Sequence, residues 1–393
     1  MSIKKILALT GIRSEYYILY PVIDLLRQDK QFDVRVVVSG AHLSDWHGLT
    51  LREIEADGFH VVDKLDSLLM TNRTTQRVKG VGMLTHALAQ TVERENPDVI
   101  FVVGDREESI AAALVGNYMD VAVAHLGGGD PVYGNADDPI RFAVSKLAHI
   151  HFTLADAYAK NLQRVGEEEF RIFNVGDPAL DTIRTTPQRS LIEMSGILGV
   201  DINDGKYIVL IRNPLSSEWK DAGHQMHITL QALEQFCKES GYKVIAIHPN
   251  TDPGACDIIE AIQAYKDKPF IKFYKNLERE VFVNLMRHAR ALAGNSSMGI
   301  LEAPFYKLPV INIGNRQQGR LNAGNVEFVP DEHAAIIQAV NKSCGNDEYR
   351  KMVANLKNPY GDGRTSEKIR DVLRSVDLSD KQWLVKKNLA GIS

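Results

Sequence analysis

The sequence predicts an α/β protein built from two Rossmann-like, doubly wound domains. Short apolar runs of strand length recur along the chain, segments of helical periodicity separate most of them, and the series starts afresh after a weakly patterned stretch between Pro178 and Asn203. A chain of 393 residues is also long for one core and suits two domains of ordinary size.

The first apolar run, Ile3 to Leu9, leads into TGIRSEYY, and from Tyr17 the residues Leu19, Val22, Ile23, Leu25 and Leu26 recur at helical spacing. Strand-like runs follow at Phe32–Gly40, Pro97–Asp105, Asp120–Gly128 and His149–Leu154. The second series comprises Lys206–Pro214, Tyr242–Asn250, Phe270–Tyr274, Ala289–Ser297 and Leu308–Gly314. Strands alternating with helices predict parallel sheets covered on both faces. We place the domains at 1–185 and 186–370, followed by a terminal segment at 371–393.

Composition narrows the function. An apolar share of 44%, a charged share of 24% and a net charge of −4 are those of a soluble globular protein without a basic field, so nucleic acid is not an expected partner. Cys237, Cys256 and Cys344 form no CxxC pair and are expected to be buried or inert. No apolar run reaches membrane-spanning length, and the N-terminus lacks the apolar core of a signal peptide, so the expected address is cytoplasmic.

In parallel sheets of this kind, ligands sit beyond the carboxyl ends of the strands, and two facing sheets would place their loops across a shared cleft. The chemistry-bearing residues fall at such ends. Arg13 follows the first strand, where a guanidinium and a helix start suit an anion; a plain surface arginine fits the spacing equally. Asp105 and Arg106 end a strongly apolar strand, and Asp105 reads either as a cleft acid or as a helix N-cap.

The loop AHLGGGDPVYGNADDPIRF, Ala124 to Phe142, combines three glycines with Asp130, Asp137 and Asp138. Acids repel phosphate, so the loop suits acid/base work: carboxylates crowded with Asp105 would have their proton affinities pushed apart. Asp137 or Asp138 reads equally as the cap of a helix near Pro139. His149 and His151 share a strand face but have no third ligand at suitable spacing, and a structural strand is the better reading. In GNSSMGILEAPFYKLPVINIGNRQQGR, Gly294 to Arg320, Ser296 and Ser297 at a helix start suit a diphosphate, Glu302 suits ribose hydroxyls, and Arg316 ends the next strand.

Taken in order, GIRSEYY, GDR, AHLGGGD with GNADDPIRF, HIHF, HPN, GNSSMGILEAP, PVINIGNRQQGR and NPYGDG resemble the hydrolysing UDP-N-acetylglucosamine 2-epimerases of sialic acid and related nonulosonic acid routes. The resemblance runs from Arg13 to Gly363. It implies a glycosyltransferase-B-like fold, a homodimer or higher homo-oligomer, and a terminal segment that packs back on the first domain. It also implies removal of the C2 proton of UDP-N-acetylglucosamine, elimination of UDP to a glycal and hydration to N-acetylmannosamine, chemistry that requires neither metal nor cofactor.

Carried over by motif, Arg13, Arg106, Asn213, Asn250, Ser296, Ser297, Glu302 and Arg316 fall at nucleotide-sugar-binding positions, and Asp105 and Asp137 at catalytic acid positions. Two departures stand out. Gly127 occupies the place of a family glutamate, with Asp130 the nearest substitute, and Asn213 that of a family histidine. A different sugar of the UDP-N,N'-diacetylbacillosamine type, a glycosyltransferase, or a non-catalytic nucleotide-sugar binder are the alternatives.

Overall fold

The computed structural model describes residues 3–69, 75–131, 137–250 and 252–385. Contacts divide the chain into two units, Met1–Thr182 with Tyr360–Ser393, and Ile183–Pro359. The division falls a few residues before the expected 185/186 boundary, and the return to the first unit begins at Tyr360, not 371.

The first unit contains β1 (Lys4–Thr10), β2 (Phe32–Ser39), β3 (Val61–Leu65), β4 (Val99–Val103), β5 (Ala122–Leu126), β6 (Ile150–Thr153) and β7 (Ile172–Asn174). They form a sheet in the order β3-β2-β1-β4-β5-β6-β7, parallel throughout. Alternate residues of each central strand feed opposite faces. Ile6, Ala8, Val99 and Phe101 enter one apolar cluster, while Leu7, Leu9, Ile100 and Val102 enter another. Burial on both faces explains why these strands read as unbroken apolar runs.

The second unit repeats the plan with β8 (Tyr207–Ile211), β9 (Lys243–Ile247), β10 (Ile271–Tyr274), β11 (Ala291–Gly294), β12 (Val310–Ile313) and β13 (Val326–Val329), in the order β10-β9-β8-β11-β12-β13. Its pairs are parallel as well. Three strands lack a sequence-predicted counterpart: β3, β7 and β13. All three are sheet edges whose residues are mostly half-buried, so no continuous apolar run marks them.

The returning segment is fastened to the first unit by polar as well as apolar groups. The Thr365 and Ser366 amides donate to the two oxygens of Asp181 at 2.9 and 2.6 Å, capping the helix Thr365–Ser375 from a distant element. Ile369, Leu373 and Trp383 join the core built on β1 and β4. Arg171 is fully buried; it donates to the carbonyls of His149, Gln382, Trp383 and Val385 and pairs with Glu168 at 2.8 Å.

The cysteines and the strand histidines take the following places. Cys237 and Cys344 are buried, with their thiols pushed up to about 12 by burial, but Cys256 is exposed. His149 and His151 serve structure: Nδ1 of His149 accepts from the Val123 amide at 3.0 Å, and His151 faces Glu167 at 3.0 Å. Among the described residues, no helix is long and apolar enough to cross a membrane.

Replacing Arg171 by leucine strands four carbonyls and the Glu168 carboxylate. Urea unfolding of R171L is expected to give a stability loss of about 3–5 kcal/mol at unchanged m-value, with faster amide exchange over Asp377–Val385.

Candidate functional site

The strand order of each sheet reverses once, between β1 and β4 and between β8 and β11. Loops leaving neighbouring strands there diverge to opposite faces and open a crevice at the carboxyl ends. The predicted site residues collect around these two places.

At the first reversal, β1 delivers Gly11 to Glu15, and β4 delivers Gly104, Asp105 and Arg106. The helix after β1 starts at Arg13, four residues before Tyr17 where the apolar periodicity begins, so Arg13 lies in its first turn. The Arg13 guanidinium stacks over the Tyr17 ring and pairs with Glu53 at 3.2 Å. Asp105 is not the N-cap of the helix Glu107–Tyr118; Arg106 occupies that position. Asp105 instead pairs with Arg141, whose Nη1 donates to the Gly127 carbonyl at 2.8 Å.

Carboxylates crowd at this strand end between two acids of the flanking helices. Glu15 and Glu108 are buried, and Glu108 closes on Gly11 so tightly that a Cβ there would lie 1.8 Å from its Oε1. Glu15 accepts from the Gly11 amide at 3.1 Å and Glu108 from the Ser39 hydroxyl at 3.2 Å, while Glu15 Oε1 and Glu108 Oε2 have no hydrogen-bond partner. Arg106 faces them, its Nε 3.9 Å from Glu15 Oε1. Burial first, then the charge of Glu108, holds the Glu15 carboxyl well above the usual carboxylate range; burial likewise raises Glu108. Behind them, burial depresses His42 to about 4, so a neutral imidazole bridges Thr10 at 3.1 Å and Thr50 at 2.7 Å.

Neither glutamate is a residue that sequence reasoning singled out. The available signal was an acid in the first turn of each helix that follows the two central strands. Asp130 is buried, after Gly129, whose φ is 79° and where a Cβ would stand 2.4 Å from the Tyr158 carbonyl, which excludes a side chain. Asp137 opens the helix Asp137–Leu147; its side chain lies outside the described residues.

At the second reversal the chain packs backbone against backbone. Gly294 has a φ of 125°, and a Cβ there would stand 1.9 Å from the Ile211 carbonyl. This approach lets Asn213 and Asn295 exchange hydrogen bonds: the Asn213 amide donates to Asn295 Oδ1 at 2.7 Å, and Asn295 Nδ2 to the Asn213 carbonyl at 2.8 Å. The Asn213 side chain in turn accepts from the Asn250 amide at 2.8 Å. Arg316 donates to the Asn295 carbonyl at 3.1 Å, and burial pushes its guanidinium below the usual arginine range. Ser296 and Ser297 follow directly, and Ser297 holds the N-cap position of a short helix without a side-chain cap bond. Glu302 ends that helix. Asn213, Asn250, Ser296, Ser297 and Arg316 therefore share one neighbourhood. Beneath them the buried Arg212 binds Thr229 at 2.7 Å and pairs with Asp331, pinning the ends of β8 and β13.

Paired amides, hydroxyls and a half-desolvated guanidinium suit a phosphorylated ligand, whereas the first reversal offers acids for proton transfer. Two doubly wound sheets of this kind define a fold of the glycosyltransferase-B-like class. Comparison with known proteins carries the assignment further: the chain belongs to the UDP-N-acetylglucosamine 2-epimerase family, whose model matches residues 24–374.

Among its relatives, a hydrolysing UDP-N,N'-diacetylbacillosamine 2-epimerase of Legionella pneumophila is 33% identical over 96% of this chain and 97% of its own length. A UDP-N-acetylglucosamine 2-epimerase of Neisseria meningitidis is 29% identical over 95% of both chains. The crystal structure of a UDP-N-acetylglucosamine 2-epimerase from N. meningitidis, bound to UDP-N-acetylglucosamine, superposes with a TM-score of 0.79 at 20% identity, covering 95% of this chain and 100% of that one.

The raised glutamates make stability pH-dependent. The native state holds protons that the unfolded chain releases above its ordinary value of 4.5, so their stabilisation is complete below that value and is lost as pH rises through the folded one. Thermal melts from roughly pH 5 to pH 8 should show Tm falling for the wild type and a flatter slope for E108Q.

Proposed function

We propose that this protein is a hydrolysing nucleotide-sugar 2-epimerase whose substrate is a UDP-linked 2-acetamido sugar, with UDP-N,N'-diacetylbacillosamine preferred. The observation that carries the reaction type is Asp105, a carboxylate placed at the β4 end by an ion pair to Arg141, beside a loop that supplies further acids. The relatives at 33% identity support the diacetylated sugar: besides the Legionella protein, a GDP/UDP-N,N'-diacetylbacillosamine 2-epimerase of Campylobacter jejuni is that similar over 83% of this chain. Gly127, where the motif of the resembling family has glutamate, is in keeping with an altered sugar.

The reaction divides into two balanced halves. A carboxylate takes the C2 proton, the C1–O bond to the diphosphate breaks, and UDP leaves with the bonding pair, giving the glycal. Water then adds hydroxyl at C1 while a proton returns to C2 on the opposite face, releasing the free 2-epimer. Asp105 and Asp137 are the proposed proton-transfer groups, with Asp130 the third acid of the set. Arg13, Arg106, Arg316, Asn213, Asn250, Ser296 and Ser297 are assigned to the nucleotide and Glu302 to its ribose. Donors aimed at the diphosphate stabilise the charge that appears only as it departs.

UDP-N-acetylglucosamine is the second reading, favoured by the Neisseria relative and by the ordered motifs. Incubating the protein with each sugar nucleotide in deuterated water is expected to release UDP and a free sugar carrying deuterium at C2, with the higher kcat/KM for the diacetylated substrate. Sugar transfer to an acceptor, or product without C2 label, would refute the epimerase reading; a higher kcat/KM for UDP-N-acetylglucosamine would refute the substrate choice alone. D105N is expected to lower kcat by roughly 10²–10⁴-fold.

A further inference from the structure

We propose that Arg141 is a positioning residue for proton transfer, one that orients the Asp105 carboxyl group and does so through the space that glycine at 127 leaves open. The inference rests on the epimerase reading above and assigns within it the base that the reading leaves unspecified.

Arg141 lies one turn into the helix Asp137–Leu147, with its side chain only 11% exposed. Nη2 meets Asp105 Oδ2, Nη1 donates to the Gly127 carbonyl at 2.8 Å, and Nε is buried with no hydrogen-bond partner among the described residues. One guanidinium thus ties together the ends of β4 and β5. A guanidinium keeps its proton in proteins, so it can hold an anion but cannot itself act as the acid.

The geometry beneath is a closed loop of hydrogen bonds. The Ser145 hydroxyl donates to the Arg141 carbonyl at 3.0 Å and lies 3.2 Å from His125 Nδ1, while His125 Nε2 lies 2.7 Å from the Gly104 carbonyl. Gly104 immediately precedes Asp105. Both the peptide that carries Asp105 and the helix that carries Arg141 are therefore braced through one buried histidine.

Gly127 makes the arrangement possible. Its φ is 89°, and a Cβ there would stand 3.7 Å from Arg141 Nη1 and 3.9 Å from the Gly104 amide nitrogen. A carboxylate on that Cβ would reach the guanidinium and compete with Asp105 for it. With glycine at 127, Arg141 pairs with Asp105 and meets residue 127 only at its carbonyl.

The test compares R141A, R141K and D105N with the wild type, each first checked for an unaltered melting transition. R141A is expected to lose roughly 100-fold in kcat, the cost of an ångström-scale misplacement, with KM changed by no more than about threefold. Millimolar guanidinium is expected to restore part of that kcat in R141A and none in D105N, and R141K should fall between. An R141A kcat close to that of the wild type, a loss confined to KM, or a loss that guanidinium does not relieve would overturn the proposal. A wild type that releases no C2-labelled sugar defeats the functional reading, and this role with it, whereas an active wild type with an equally active R141A defeats this proposal alone.

Discussion

Strand direction governs where chemistry can occur in this molecule. Every strand pair in both sheets is parallel, so all the carboxyl ends of a sheet emerge on one side, and the single reversal of strand order holds two of those ends apart. Polar side chains gather there because the interior of each sheet admits few: its central strands are apolar on both faces. The charged residues of interest are not scattered across the fold. Arg13, Asp105, Arg106, Arg212, Arg316 and Asp331 stand one to three residues past a strand end.

Placing charge next to an apolar core is costly, and the structure offsets that cost by pairing. Arg212 lies 2% exposed but is matched by Asp331 and Thr229; Arg171 is satisfied by backbone carbonyls and Glu168. Glu15 and Glu108 are the exception, two buried acids whose shared Arg106 stands at 3.9 Å from the first of them. Two adjacent buried carboxylates cannot both ionise cheaply, so protons stay with them. Neighbouring Asp105 pairs directly with Arg141.

Glycine has two distinct uses at these strand ends. At Gly294 a side chain would collide with the Ile211 carbonyl, so the residue serves backbone approach and the amide exchange between Asn213 and Asn295. At Gly127 there is room for a Cβ, and the missing side chain matters because a competing carboxylate is absent. The same residue type therefore marks a packing constraint in one unit and a choice of ion pair in the other.

The sequence by itself determined the doubly wound class, the two strand series and the strand-end placement of Asp105, Arg106, Asn213, Ser296, Ser297 and Arg316, because both-face burial writes each central strand as an apolar run and each loop as its polar interruption. It was silent on β3, β7 and β13, whose half-exposed edges carry no such pattern. Only the tertiary structure decided the partners. That Glu15 meets Glu108, that Asp105 takes Arg141 and not a capping role, and that Asn213 locks onto Asn295 are contacts between residues 36 to 93 positions apart, across strands whose adjacency comes from crossover topology. Local periodicity contains no term for such distances; the sheet order does.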